Sequence, residues 1–275
     1  MLKIKMNNLS QRLAASFDTL EPVVLESGRV FSCRAEAEAV CEEASRALGL
    51  VAAWKLGATT RAGREVLRLD SPFFGPLPER RVFADGATLT GAAAGLRGVE
   101  CEYGFKLARD ARPDDAGLSD SDFLTLFASV HPAIEIPGAR FSSLGAYGGL
   151  GLVADFGAAG ALVVGPGAPL GDPAALTRAP VRLSIDGREA AVGSAEALDG
   201  GALPPVRGFL AAAFARGYAP RAGQVIVTGS CTGYVIAPPG AEVVASFDAL
   251  GTGVRLRMGS DAFERNKSGN LEKNA

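Results

Sequence analysis

The chain has one histidine, His131, and four cysteines, Cys33, Cys41, Cys101 and Cys231, in 275 residues. No two cysteines form a C-x-x-C pair or stand at metal-finger spacing, so free thiols in a reducing compartment are the expectation. No apolar run is long enough to span a bilayer, and the opening MLKIKMNNLSQRL lacks the apolar core of a signal peptide. A cytoplasmic protein with no membrane partner is therefore expected. An excess of one charge is also missing. The net charge is −2, from 28 basic and 30 acidic side chains. Lys and Arg are scattered, which speaks against a nucleic-acid partner. The lone His131, between Val130 and Pro132 at the end of an expected helix, reads as a cap or a packed side chain rather than a base.

What is abundant points to a loop-rich globular protein. Hydrophobic residues make up 48%, with 35 Gly and 16 Pro, and the length allows one large domain with a small N-terminal piece. Leu9, Leu13 and Phe17 recur every fourth residue, as on a short amphipathic helix. A second helix, capped by Ser32 and stopped by Gly49, presents Ala37, Val40, Cys41, Ala44 and Leu48 on one face. Strands are expected at Val51–Lys55, Arg81–Phe83, Val99–Leu107, Val153–Asp155 and Ala161–Val164. Leu118–Val130 reads as a capped helix, and PVRLSIDGREAAVG as a hairpin turning at Asp186-Gly187. PPVRGFLAAAFARG reads as a helix with Pro in its first turn, and closely spaced strands follow it. Short helices lead and short strands dominate the second half, without β-α-β alternation. That pattern favours an α+β fold on a rolled or sandwiched sheet over a doubly wound one. Residues 1–50 are read as a helical region and 51–258 as the β-rich domain. The polar stretch 259–275 reads as a tail outside the fold.

One short stretch is chemically unusual. In VECEYGF (Val99–Phe105), Glu100 and Glu102 fall on one face of a strand, and Cys101 and Tyr103 on the other. Two carboxylates at that spacing repel unless water, a shared proton or a cation relieves them. Glu135, between Ile134 and Ile136 in HPAIEIPGARF, is a third acid set against apolar neighbours. Three carboxylates would suit a hard divalent cation, although E-x-E alone is common.

AWKLGATT, DSPFFGPL, VECEYGFKLARD, HPAIEIPGARF, VADFGAAGALVVG, RAGQVIVTGS and ASFDALGTGVRLRM follow one another along the chain. In this order they resemble the 2-keto-4-pentenoate hydratase / 4-oxalocrotonate decarboxylase family of the fumarylacetoacetate hydrolase superfamily, from about Leu9 to Met258. The resemblance implies a homo-oligomer with a mixed β-roll of the C-terminal type seen in that superfamily, and one Mg2+ or Mn2+ per site. It implies Glu100, Glu102 and Glu135 as metal ligands. Lys55, Asp70 and Asp155 become candidate catalytic residues, and Leu77, Arg140, Thr228 and Ser230 candidate substrate contacts, with Arg140 pairing simply with Asp155, and Thr228 and Ser230 forming a turn between strands, as the alternatives. The implied substrate is a short 2-oxo-enoate or 2-hydroxy-dienoate acid. The implied reaction is addition of water, with decarboxylation, acylpyruvate-type hydrolysis or a non-catalytic role as alternatives. Such an acid chelates a divalent ion through its carboxylate and C2 oxygen, and hydration and decarboxylation both pass through a dienolate. Lys55 would shuttle a proton or hold the carboxylate.

Three positions depart from the family pattern. Phe73 replaces an acid, with Asp70 three residues earlier, and in ADFGA Phe156 and Ala158 replace an amide and a hydroxyl. These changes put water addition in question more than metal binding.

Overall fold

A computed structural model describes residues 2–19, 21–25 and 31–260, with side chains from Asn8 onward. From Asp261 the polar C-terminal stretch lies outside the described residues. The helices are α1 (Leu2–Thr19), α2 (Arg34–Ser45), α3 (Arg61–Leu67), α4 (Asp120–Leu124), α5 (Gly148–Ala154), α6 (Pro173–Arg178) and α7 (Leu203–Ala215). The first seven strands are β1 (Val51–Gly57), β2 (Phe73–Pro78), β3 (Val82–Ala84), β4 (Ala87–Thr88), β5 (Gly98–Leu107), β6 (Phe127–Ile136) and β7 (Ala161–Val164). The remaining six are β8 (Val181–Ile185), β9 (Arg188–Gly193), β10 (Val225–Val227), β11 (Val235–Ile236), β12 (Glu242–Phe247) and β13 (Thr252–Arg257). None of the described helices is long and apolar enough to cross a membrane.

The architecture is α+β. A large mixed sheet runs β2-β1-β10-β5-β6-β7-β3, with β11 pairing the start of β5, and a smaller sheet runs β4-β13-β12-β8-β9. Strand alternation divides the large sheet between two cores. Val99, Cys101, Tyr103, Phe105 and Leu107 of β5, with Ile134 and Ile136 of β6, face the small sheet's Leu183, Val243 and Val254. The opposite face carries Ala53, Phe73, Leu77, Ala133, Leu162 and Val227, covered by Leu13 and Phe17 of α1, Val40 of α2 and Val153 of α5. Helices, large sheet and small sheet therefore form three layers. The N-terminal helices are one of those layers, sharing the core of the sheet.

Several elements differ from their sequence reading. The helix expected over Leu118–Val130 is confined to Asp120–Leu124, where Ser119 Oγ accepts from Asp122 N. Beyond it the chain becomes β6, pairing along the length of β5 from Leu107↔Phe127 to Glu100↔Glu135. That cross-strand pairing outweighs the helical spacing of the apolar residues. His131 consequently sits within a strand, its Nδ1 2.9 Å from Gly165 O and its Nε2 2.8 Å from Ser129 Oγ.

The stretch Val153–Asp155 ends a glycine-rich helix instead of forming a strand. A Cβ at Gly149 would lie 2.4 Å from Leu67 O, so glycine permits the close approach of α5 there. FFGPLP forms β2, an edge strand on β1, where Pro76 and Pro78 are tolerated. Cys33 occupies the N-cap position of α2. Ser32 ties to the first turn through Glu36 Oε2, which its N and Oγ both contact. The hairpin at Asp186-Gly187 forms, with φ of 49° and 75° at those two residues.

Candidate metal centre

The period of β5 places Glu100 and Glu102 on the helix-covered face, and Glu135 of β6 lies directly across from Glu100. One oxygen from each carboxylate lies within 4.8 Å of the other two. Lys55 arrives from β1, two strands away, because β10 ends at Val227 and leaves room beyond it. Its Nζ stands 3.3 Å from Glu135 Oε1. Lys55, Glu102 and Glu135 are buried and Glu100 is half-buried.

Few protein groups serve these acids. Gly229 N donates to Glu102 Oε2 at 2.7 Å. Glu102 Oε1 and Glu135 Oε2 are buried without a partner, and Glu135 Oε1 has only the Lys55 ammonium. Burial, then the charges of Glu135 and Glu100, push the Glu102 carboxyl well above the usual range. Burial likewise raises Glu135, to about 8, against the pull of Lys55. For Lys55 burial acts downward, but the three glutamates together outweigh it and hold the ammonium charged. Three acids thus share one base. Orphaned buried oxygens are costly in a native protein, and an all-oxygen donor set short of positive charge fits a hard divalent cation such as Mg2+ or Mn2+. Glu100, Glu102 and Glu135 are the residues that would hold it.

A cavity of about 380 Å3 opens over this cluster, with Lys55, Glu100, Glu102 and Ser230 at its polar end. Ser230 Oγ is buried without a partner there. The structure therefore brings together five of the ten residues singled out in the sequence.

The other five lie elsewhere. Asp70 is on the surface with its side chain 86% exposed, bonded to Ser71 Oγ and 3.5 Å from Arg34 Nη1. The Ser71 hydroxyl first, and Arg34 second among the stabilising groups, lower its pKa. Asp155 and Arg140 form a buried ion pair with each other, and neither lines the cavity. Leu77 is wholly buried in the helix-side core. Thr228 Oγ1 accepts from Tyr103 N and donates to Gly229 O, so its hydroxyl is spent on holding the β10 end in place.

Part of the wall comes from residues no motif indicated: Leu67 at the end of α3, Leu144 before α5, Leu152 on α5, and Tyr234 before β11. Tyr234 follows TGSCTG closely, and its ring covers Gly98, where a Cβ would be 1.9 Å away. Phe73 forms part of the wall, its ring centroid 5.7 Å from Lys55 Nζ. Near it, Phe156, Gly157 and Ala158 all have positive φ, at 52°, 62° and 60°. A larger cavity of about 900 Å3, between the end of α2 and the α7–β10 connection, includes none of the cluster residues.

No family model matches the chain. It is 29% identical over 202 residues to a 2-hydroxyhexa-2,4-dienoate hydratase of Comamonas testosteroni, covering 72% of this chain and 75% of that protein. Its fold matches 4-oxalocrotonate decarboxylase from Pseudomonas putida G7, solved with magnesium and adipate. The TM-score is 0.80 at 21% identity, over 94% of this chain and 98% of that one. Fumarylpyruvate hydrolase from Pseudomonas aeruginosa, solved with Mn2+ and pyruvate, matches with a TM-score of 0.54 at 14% identity, over 77% and 91%. Two packed sheets under a helical layer are the fold that the chain shares with these solved enzymes. In sequence the chain is similar to that hydratase, in keeping with the resemblance of its ordered motifs to the 2-keto-4-pentenoate hydratase / 4-oxalocrotonate decarboxylase family.

Proposed function

We propose that the protein is a divalent-metal-dependent lyase that adds water to a short 2-hydroxy-dienoate or 2-oxo-enoate acid. The observation that carries this reading is the cluster of Glu100, Glu102 and Glu135, the last two fully buried with oxygens that lack a partner, facing a single counter-charge beside a cavity. When bound, a divalent cation supplies chelation of the substrate carboxylate and C2 oxygen, and electrostatic stabilisation of enolate charge. Lys55, charged and fixed by Glu135, holds the developing negative charge of the acid end in place. Ser230 Oγ, free of protein partners, donates to a substrate oxygen. The apolar walls exclude bulk water, so that charge inside the cavity is weakly screened. Protonation of the dienolate at its far carbon gives a conjugated 2-oxo-3-enoate, and one water then adds at C4 with its proton delivered to C3.

The test is an ultraviolet and mass assay on freshly generated 2-hydroxypenta-2,4-dienoate and a six-carbon dicarboxylic analogue, each with Mg2+ and with excess chelator. Chelator-sensitive loss of the dienol band with a gain of one water is the expected result. Loss of carbon dioxide from the dicarboxylate alone would move the assignment to decarboxylation. Two acids from one substrate would make it a hydrolase, and no turnover by protein shown to bind metal would leave a non-catalytic member.

We further infer a homo-oligomer in the cytoplasm. The family that the ordered motifs resemble is homo-oligomeric, which supports this reading. Light scattering after gel filtration checks it. The four cysteines are unbridged, as a reducing compartment requires.

A further inference from the structure

The hydrogen-bonding groups of the cavity over the cluster are unevenly placed. Lys55 enters from the Gly104 side of β5. The register runs Trp54↔Ile226 and Ile226↔Phe105, so the residue after Trp54 lies level with Gly104. Ser230 and Thr59 belong to the same end. Ser230 follows the Gly229 N–H that serves Glu102, and Thr59 Oγ1 packs on Gly229, where a Cβ would be 2.1 Å away. Thr60 Oγ1 is engaged by Gly63 N at the start of α3. The walls formed by Leu67, Phe73, Leu144, Leu152 and Ala158 carry no polar side chain. At the other end of the glutamate row, the lining hydroxyl is that of Tyr234.

β5 itself positions this phenol. β11 runs antiparallel to it, with Val235 opposite Val99 and Ile236 opposite Gly98. Tyr234, one residue earlier, therefore comes opposite Glu100. Its side chain leans away from Glu102, toward Gly98: a Cβ there would lie 1.9 Å from the ring and 2.5 Å from the hydroxyl oxygen. Gly98, Glu100 and Glu102 share one face of the strand, and the phenol fills the place that a side chain at 98 would take. The hydroxyl thus stands on the glutamate face, one two-residue step beyond Glu100, about 6.8 Å along the strand. Among the described residues it has no hydrogen-bond partner. Tyr234 is 47% exposed, so water reaches it.

A 2-oxo acid with its carboxylate toward Lys55 extends toward Tyr234. C4 lies three bonds from the carboxylate carbon, about 3.8 Å in an extended chain. An oxygen on C4 reaches a donor about 2.8 Å further on. That reach is of the order of the strand step between the phenol and the cluster.

We propose that Tyr234 is the substrate-contacting residue of the far end, its O–H holding the oxygen that becomes bonded to C4, first as incoming water and then as the 4-hydroxyl of the product. This rests on the water-addition reading of the site. In that step the water oxygen bonds to C4, the C3=C4 electron pair shifts toward the C2 oxygen, and one water proton ends on C3. Tyr234 keeps its own proton throughout.

The test compares each enantiomer of 4-hydroxy-2-oxopentanoate with 2-oxopentanoate, by calorimetry on the Mg2+-loaded protein. The acids differ only in the hydroxyl assigned to Tyr234. In Tyr234→Phe, which keeps the ring on Gly98, the affinity of the better-bound 4-hydroxy enantiomer relative to 2-oxopentanoate is expected to fall about fivefold. Affinity for 2-oxopentanoate and for Mg2+ should be unchanged. Hydration of the dienoate should lose about tenfold in kcat, with KM little moved. A phenol that merely propped the cavity mouth would weaken both acids alike. An unmoved ratio, or equal weakening of both acids, overturns the proposal while the 2-oxo acid reading stands. If neither acid binds protein shown to hold Mg2+, that reading falls, and this proposal with it.

Discussion

Two ionic groups are buried on the helix-covered face of the large sheet, and they are built in opposite ways. In the Arg140–Asp155 pair, Arg140 N and Nε donate to the two Asp155 oxygens, Nη2 to Asp155 O, and Nη1 to Ala159 O. Its guanidinium lies 4.8 and 5.3 Å from the ring centroids of Phe17 and Phe156. Charge and hydrogen bonds both close, and Arg140 O takes Val23 N at 2.7 Å, tying down the N-terminal segment. Burial pushes the Asp155 carboxyl upward, opposed chiefly by Arg140. The glutamate cluster on β5 and β6 closes neither account: it has three acids to one lysine, and Glu102 Oε1 and Glu135 Oε2 have no partner. A satisfied buried pair belongs to the fold, whereas an unsatisfied one is maintained for a ligand.

Removing metal should expose that contrast most strongly. Turnover is expected to drop by more than about a thousandfold in excess chelator and to return with Mg2+ or Mn2+. Mg2+ at a hundred times its dissociation constant should add about 2.7 kcal/mol of stability, read as a rise in melting temperature. The Arg140–Asp155 pair should be indifferent to both treatments.

The next largest effect runs the other way. Asp155→Asn leaves Arg140 charged and underpaired in a dry site, and should cost about 3–5 kcal/mol of stability in denaturant titration. A loss under about 1 kcal/mol would mean that the pair is not what holds residues 137–140 in place. Glu135→Gln completes the comparison. It removes one of three repelling acids, so the metal-free protein should keep its stability to within about 1 kcal/mol. Turnover should fall by about a hundredfold and Mg2+ affinity with it. If Glu135→Gln destabilised the metal-free fold as much as Asp155→Asn, the cluster would be a structural ion network and the metal reading would fail.

This difference between the two groups was only half legible in the sequence. E-x-E within an apolar strand is visible because the strand period is two, so Glu100 and Glu102 must share a face whatever else happens. The pairing of Glu135 with Glu100 and the reach of Lys55 depend on strand order across β10, which no local pattern encodes. Motif order alone put Asp155 and Arg140 near the chemistry. They are near it in the chain, but in space they face each other, and a sequence cannot tell an acid that binds arginine from one that waits for a ligand. Asp70 fails for a related reason: proximity to Phe73 along the chain says nothing about which way a surface turn points. β2 escaped notice because prolines argue against a strand unless it is known to be an edge. The apolar walls were invisible because Leu67, Leu144 and Leu152 come from the end of α3, a loop and α5, which meet only in the folded chain.

The smallest effect concerns the turn that joins the two groups. Asp155 anchors its start, and Ala158, which lines the cavity, closes it with φ of 60°. A left-handed conformation costs a non-glycine residue about 1–2 kcal/mol, and glycine gives back part of that through a more flexible unfolded chain, about 0.4–1 kcal/mol. Ala158→Gly should therefore stabilise the protein by about 0.5–1 kcal/mol, a rise of about 2 °C in melting temperature. Ala158 is 4% exposed, so its methyl also packs. A lower melting temperature would show that this packing outweighs the backbone cost, and that the turn is held by side-chain burial rather than by the Arg140–Asp155 clamp. A higher one would show that the fold carries strain at the wall of the cavity, and that the Arg140–Asp155 pair is what keeps the strained turn in place beside the glutamate cluster.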